Sequence, residues 1–413
     1  MSTHAQGTRA ATGTAPGRGL VILGCTGSIG DTTFQVLDGL GGAYRVLGLA
    51  GGRRVDRLIE RARQWAPASV AVERPEDAAQ VRRALPGVEV LAGEEGLLRL
   101  AALPDAEVVV NGLVGAVGLR PTLAAVEAGK TVAMANKEPL VMAGGLILDR
   151  VRACGAQLLP LDSEPNALWQ CLRGESDRHV RRLILTASGG AFRDWSRQRL
   201  AAVTPAQALK HPTWQMGRKI TVDSATLMNK GFEVLEAAWL FGVTLHQVDV
   251  IVHRESIIHS MVEFVDGSYL AHLGRTHMHL PIQYALTQPA RRPTPLEPLD
   301  LASVGALHFE APDVDRFPCL PLCYEAGRRG GTAPAALNAA NEVAVASFLE
   351  GRLGFLEIYE VNRQVLDTFS PAPADSVEAV LAADRQARQV ATSLVAAAAP
   401  EPSHQPPSRE TSP

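Results

Sequence analysis

A short apolar run that leads directly into three evenly spaced glycines constrains this fold more than any other feature. "GLVIL" passes into "GCTGSIG", Gly24 to Gly30, spaced Gly-x-x-Gly-x-x-Gly. A strand, such a loop and then a helical pattern open a strand–helix–strand unit. In that unit the loop backbone approaches a pyrophosphate, and the helix start offers it N–H groups. The runs that follow, "YRVLGLA", "ASVAVE", "AEVVVNG" and "TVAMAN", are continuously apolar rather than alternating. Strands of that kind are buried on both faces. Between them lie helical stretches such as "VDRLIERARQWA" and "LRPTLAAVEAG". The pattern predicts a doubly wound α/β fold with a mostly parallel sheet.

The second run ends in "GGRRVD". A site for NADH places an acid there to hold the ribose hydroxyls. Arg53 and Arg54, after Gly51 and Gly52, suit a 2′-phosphate instead, which reads as NADPH. Asp56 lies close by and keeps the other reading open.

A chain of 413 residues, 46% of them hydrophobic, builds a large core and two or three domains. The net charge of −3 gives no global field for nucleic acid or membrane. Five scattered cysteines with no C-x-x-C pair argue for a reducing compartment, the cytoplasm. No apolar run has the length of a membrane span. Along the chain we expect a disordered lead-in (1–18), an NADPH-binding domain (19–160) and a catalytic domain (161–290). A linker (291–311), a carboxy-terminal helical domain (312–398) and a disordered tail (399–413) follow.

"LLPLDSEPNAL" reads as a strand finishing in Asp162 and Glu164. Residues two apart on a strand share a face, where like charges repel. Either both acids point into water or a positive object sits between them. Further on, "TVDSATLMNKGFEVLEAAWLF" reads as a helix from Met228, with Phe232, Leu235 and Trp239 on a packing face and Glu233 and Glu236 on another. Ser224, Asn229 and Lys230 gather hydroxyl, amide and ammonium near that helix start. They make either a phosphate site or ordinary caps. "TASGGAF" offers a backbone nest and Ser188, and "KHPTWQMGRKI" offers His211, Trp214 and Met216.

These strings in order, "GCTGSIG", "ANKE", "LLPLDSE", "TASGGAFR", "HPTWQMGRKITVDSATLMNKGFEVLEA", "SIIHSMVEF" and "ALNAANEVAVA", resemble the 1-deoxy-D-xylulose 5-phosphate reductoisomerases. The resemblance runs from about Gly19 to Ala398. It implies a Rossmann-type NADPH domain, a central α/β catalytic and dimerisation domain, a carboxy-terminal helical bundle and a homodimer. It implies rearrangement and NADPH-dependent reduction of a sugar phosphate with Mg2+ or Mn2+. Asp162, Glu164 and Glu233 match the metal ligands. Lys137, Ser163, Ser188, His211, Ser224, Asn229 and Lys230 match substrate contacts, with Lys137 and His211 also in catalytic positions. Thr26, Gly27, Ser28, Ile29, Gly52, Arg53, Arg54, Asn136, Glu138 and Gly217 match cofactor contacts. Trp214 and Met216 match a lid.

The chain departs from the family pattern at several points. Pro165 replaces a usual His, Pro139 a Ser, and Cys25 a Ser. Arg54 stands where Asn is usual, and "THMH" (Thr276 to His279) where "PDMR" is usual. These changes motivate a second reading, a related reductase for a different sugar phosphate. Another, that His272, His277 and His279 form a second metal site, lacks a complete ligand shell.

Overall fold

The continuous apolar runs form a sheet covered on both faces. In the computed structural model, which describes residues 17–398, seven parallel strands stand in the order β4-β3-β2-β1-β5-β6-β7. They are β1 (Arg18–Leu23), β2 (Tyr44–Gly51), β3 (Ser69–Val72), β4 (Glu89–Ala92), β5 (Val108–Asn111), β6 (Thr131–Met134) and β7 (Gln157–Pro160). Leu20, Ile22, Val108 and Val110 face one layer of core, and Val21, Leu23, Val109 and Val132 face the other. The chain winds outward from β1 to β4, then crosses back to lay β5 against the other side of β1. Ligands bind at such a reversal, beyond the carboxyl ends of the strands. Here Gly24 turns with φ +80°, and a Cβ on it would meet the Gly112 carbonyl at 2.4 Å. Only glycine lets the two loops after β1 and β5 come this close.

A second sheet of four strands follows, in the order β11-β10-β8-β9. Its strands are β8 (Val180–Ala187), β9 (Val248–Val252), β10 (Ile258–Phe264) and β11 (Tyr269–Leu273). β10 runs antiparallel to both neighbours, and β8 and β9 are parallel. The helix Met228–Phe241 packs against this sheet, and the helix Ala333–Leu349 joins the same core, which includes Leu183, Leu185, Val234, Ala340 and Phe348. Ala383, Ala387 and Ala391, one turn apart on the helix Val377–Ala398, bring it close to the alanine-rich Ala333–Leu349 helix.

Some expectations change. β4, at the sheet edge, lies outside the expected apolar runs: it begins with the exposed Glu89, and of its four residues Val90 alone is buried. Arg18, placed in the lead-in, begins β1. Gly17 is also described, and residues 1–16 and the tail lie outside the described residues. The helix His279–Thr287 follows the second sheet but returns to the first, where Ile282, Ala285 and Leu286 join the core around Leu20 and Phe34. The Tyr44 hydroxyl donates to the Leu286 carbonyl at 2.6 Å. The 161–290 segment therefore contributes a covering helix to the amino-terminal core.

Candidate active site

The expected face-sharing strand residues turn out to be a helix cap. β7 stops at Pro160, and Asp162 caps the helix Ser163–Cys171 by accepting the Ser163 N–H at 3.1 Å. Glu164 lies in the first turn of that helix, where the positive end of the helix dipole favours an anion. Pro165 sits in the same turn, where no intrahelical N–H is required, so the helix tolerates it. Glu233 arrives from the helix Met228–Phe241 and is fully buried. One oxygen from each of Asp162, Glu164 and Glu233 lies within 4.8 Å of the others. Glu233 and Glu236 are both buried, as are Phe232 and Leu235, whereas Trp239, expected on the packing face, is 43% exposed and lies against Gly144 and Gly145.

Two lysines hold these acids together. Lys137 Nζ stands 2.7 Å from Asp162 Oδ2 and 3.4 Å from Glu233 Oε1. Lys230 Nζ stands 2.8 Å from Glu164 Oε1 and also pairs with Glu233 Oε2. Asn229 Nδ2 donates to Glu233 at 2.6 Å, and Ser163 Oγ donates to Glu164. Three carboxylates face two ammonium groups, so one negative charge is in excess. The consequence falls on Glu233: burial first, then the charge of Glu164, raises its carboxyl to about 8. Burial would raise Glu164 as well, but Lys230 and Ser163 hold it down to about 2. Asp162 Oδ2 is buried, with the Lys137 ammonium as its partner. An all-oxygen donor set with one surplus charge fits a hard divalent cation such as Mg2+ or Mn2+.

Beside the acids lies a pocket of donors. His211 Nε2 is 3.1 Å from both Ser188 Oγ and Ser224 Oγ. Its Nδ1 accepts the N–H groups of Trp214 and Thr213 at 2.9 and 3.2 Å, which puts the ring proton on Nε2. Gly189 and Gly190 both adopt positive φ and form the nest under Ser188. Asn229 and Lys230 complete the pocket from the first turn of their helix. Burial, then the nearby Arg193 charge, pushes His211 down to about 4.

A pH effect follows. Between pH 6.5 and about 4 the unfolded chain takes up a proton that folded His211 refuses, so stability falls as pH drops through that window. His272, also lowered to about 4 by burial, acts in the same direction. Urea unfolding at pH 7 and pH 4.5 should show a smaller acid loss in His211→Gln than in the parent. Equal losses would mean His211 titrates normally in the fold.

A cavity of about 1000 Å³ joins the two clusters to the glycine loop. Gly27, Ser28, Ile29 and Arg54 line one end, and Lys137, Asp162, Ser163, Glu164, Ser188, His211, Ser224, Asn229 and Lys230 line the other. Trp214 and Met216 border it from the 211–217 loop, which ends at Gly217, the N-cap of the helix Arg218–Ala225. Glu138 lines the cavity, while Asn136 lies buried behind it, donating to Glu138 Oε2. Thr26 is buried under the loop, and Gly52 and Arg53 lie outside the main cavity. Arg53 and Arg54 instead share an adjoining groove with Arg57 and Arg74. Asp56 is taken up by Gln80 Nε2 at 3.1 Å, which favours the 2′-phosphate reading.

Several cavity residues were not singled out from sequence: Lys219, Asp223, His259 and Ser256. A histidine inside the apolar run "SIIHSMVEF" was the available signal for His259. The His272, His277 and His279 grouping forms no metal cluster among the described residues: His279 Nε2 pairs with Gln283 Oε1 at 3.1 Å, and His277 Nδ1 accepts from the His279 backbone.

Fold and site together define a class: a dinucleotide-dependent oxidoreductase with a carboxylate centre for a divalent metal beside an anion pocket. A family model described as 1-deoxy-D-xylulose 5-phosphate reductoisomerase matches residues 20–144, and models of that enzyme's carboxy-terminal domains match 158–241 and 273–390. The chain belongs to the 1-deoxy-D-xylulose 5-phosphate reductoisomerase family. It is 49% identical over 379 residues to the reductoisomerase of Synechococcus sp. (strain JA-2-3B'a(2-13)), covering 91% of this chain and 97% of that one. It is 47% identical over 373 residues to that of Bacillus cereus (strain Q1), covering 90% and 98%. Among solved structures, a DOX-P reductoisomerase in complex with NADPH, fosmidomycin and magnesium matches with a TM-score of 0.89 at 40% identity, over 92% of this chain and 98% of that one. The Zymomonas mobilis reductoisomerase in complex with NADPH matches with a TM-score of 0.86 at 43% identity, over 92% and 99%.

Proposed function

We propose that this chain converts 1-deoxy-D-xylulose 5-phosphate to 2-C-methyl-D-erythritol 4-phosphate, rearranging the carbon skeleton and reducing the resulting aldehyde with NADPH, in isoprenoid precursor synthesis. The observation that carries this reading is one cavity that joins Asp162 and Glu164, with Glu233 buried behind them, to an anion pocket and a glycine loop at the sheet reversal. Family membership supports it and disfavours a reductase for a different sugar phosphate.

Asp162, Glu164 and Glu233 hold a divalent ion, Mg2+ or Mn2+, which supplies Lewis acidity to substrate oxygens. NADPH supplies the hydride. Ser188, Ser224, Asn229, Lys230 and the Nε2–H of His211 grip the substrate phosphate, while Lys137 and Ser163 face its hydroxyls. Thr26, Gly27, Ser28 and Ile29 take the cofactor pyrophosphate, and Gly52, Arg53 and Arg54 the 2′-phosphate. Asn136, Glu138 and Gly217 complete the cofactor site. Trp214 and Met216 close over the substrate and exclude water. The working unit is a homodimer: the edge strand β11 exposes Tyr269, Leu270 and Leu273 beside unpaired backbone, a surface suited to a second copy. We place the enzyme in the cytoplasm. No described helix is long and apolar enough to cross a membrane. The division expected at 160, 290 and 311 is retained as the functional layout.

The test is NADPH oxidation with 1-deoxy-D-xylulose 5-phosphate in Mg2+, in Mn2+ and in chelator. Oxidation in either metal, none in chelator, and methylerythritol phosphate as product are expected. Metal-independent oxidation, or none at all, would overturn the reading.

A further inference from the structure

The string "ALNAANEVAVA" belongs to the helix Ala333–Leu349, far from the glycine loop in sequence, and none of the roles above uses it. Its two central polar residues, Asn341 and Glu342, are neighbours on the helix and so point about 100° apart. Each begins a chain of polar contacts, and both chains end at the same atom.

The first runs through the helix Arg218–Ala225. Asn341 Nδ2 donates to Asp223 Oδ1 at 2.8 Å. Asp223 pairs with Lys219 Nζ at 2.9 Å, and Lys219 donates to Glu138 Oε1 at 2.7 Å. The other oxygen of Glu138 accepts from Asn136 Nδ2. Asn362, on the helix Glu357–Thr368, steadies the start by donating to Asn341 Oδ1 at 3.1 Å. The second runs through the loop after β5. Glu342 Oε1 accepts the Ala116 N–H at 2.9 Å, and its other oxygen is held by Arg388 at 2.6 Å. Gly115, next to Ala116, offers its carbonyl to the same Asn136 Nδ2 at 3.2 Å. Space is tight along this path: a Cβ on Gly115 would come within 2.5 Å of Glu342 Oε1.

The ring thus closes on Asn136. Asn341, Asn362, Asp223 and Asn136 are all essentially without solvent exposure. A closed polar network in such surroundings fixes its members to one arrangement, because any broken link leaves a buried group unpaired. What it fixes is the cofactor end of the cavity: Asn136 and Glu138 themselves, the loop carrying Leu113 and Val114, and the helix that begins at Gly217. The side chains of the metal triad and of the serine–histidine pocket make none of the ring's contacts, although Lys137 and Ser224 adjoin its members Glu138 and Asp223 in the chain.

We propose that Asn341 and Glu342 are positioning residues for NADPH, through which the carboxy-terminal helices hold the cofactor pocket in its binding shape. This rests on the reading that NADPH occupies the glycine-loop end of the cavity. The test titrates full-length Asn341→Ser, Glu342→Ala and Glu342→Gln with NADPH, following cofactor fluorescence, and measures KM for 1-deoxy-D-xylulose 5-phosphate and the unfolding temperature beside it. Asn341→Ser and Glu342→Ala should weaken NADPH by roughly tenfold, the ratio that one lost buried hydrogen bond amounts to. KM for the sugar phosphate should move clearly less than the NADPH affinity, since Ser224 and Lys137 adjoin the ring in the chain but their side chains make none of its contacts. Glu342→Gln, which keeps an oxygen for Ala116, should recover most of the loss. Folded variants that bind NADPH like the parent, or lose both ligands equally, would overturn the inference while leaving the functional reading intact. A parent chain that fails to bind NADPH would overturn both. If Glu342→Ala does not fold, the milder Asn341→Ser decides alone.

Discussion

Glu233→Gln lowers turnover by roughly 10³-fold or more, the several kcal/mol that a Lewis acid contributes to such a step. NADPH affinity stays at the parent value, because no cofactor contact is touched. The charge balance of the site adds a sharper expectation. Three carboxylates share two lysines, and burial and Glu164 already raise Glu233 to about 8. Glutamine imitates that protonated form, so the metal-free variant should unfold at the same urea concentration as the parent, or a higher one. Calorimetric titration with Mn2+ should show binding lost. Full turnover in the variant would remove Glu233 from the metal centre. Lost turnover with lost NADPH binding would point to a misfolded cavity instead.

Lys137→Met produces the opposite stability pattern. The buried ammonium bridges Asp162 and Glu233, and removing it leaves Asp162 without a cation, while Glu233 keeps only Lys230. Breaking a buried pair by deleting one partner costs about 3–5 kcal/mol. The metal-free variant should therefore lose about that much stability, measured by urea unfolding in chelator. Saturating Mg2+ should restore a larger share in the variant than it adds to the parent, since the ion now supplies the positive charge the acids lack. Turnover should fall by about 100-fold as the substrate hydroxyls lose their anchor. Equal stabilisation by Mg2+ in both proteins would mean that the lysine and the ion do not answer to the same carboxylates.

The parts of this site that were legible in the sequence are those written in short range. The glycine loop, the apolar runs that became β1, β2, β3, β5 and β6, and the Ser224–Asn229–Lys230 cluster all declare themselves within a few residues. Asp162 and Glu164 were visible as a pair, but their setting was misjudged. The apolar Leu161 extends the look of a strand past Pro160, while the chain has already begun a helix whose start holds both acids. Glu236 is buried within the field of Asp162 and Lys137 from other elements, and no helical periodicity of its own sequence predicts an acid there. Lys219 and Asp223 have the same difficulty: their partners Glu138 and Asn341 are distant in the chain. Local pattern reports propensity and phase, whereas pairing across the fold is a property of topology.

The helix His279–Thr287, which covers the first sheet, bears on the order of events at the ribosome. All seven strands of that sheet have been made by Pro160, yet the helix that carries Ile282, Ala285 and Leu286 onto its core is translated more than a hundred residues later. At about 5–20 residues per second the nascent sheet spends on the order of ten seconds with one apolar patch uncovered. During synthesis the first half of this enzyme thus carries an exposed apolar patch, the kind of surface that aggregates, until the second half emerges to cover it.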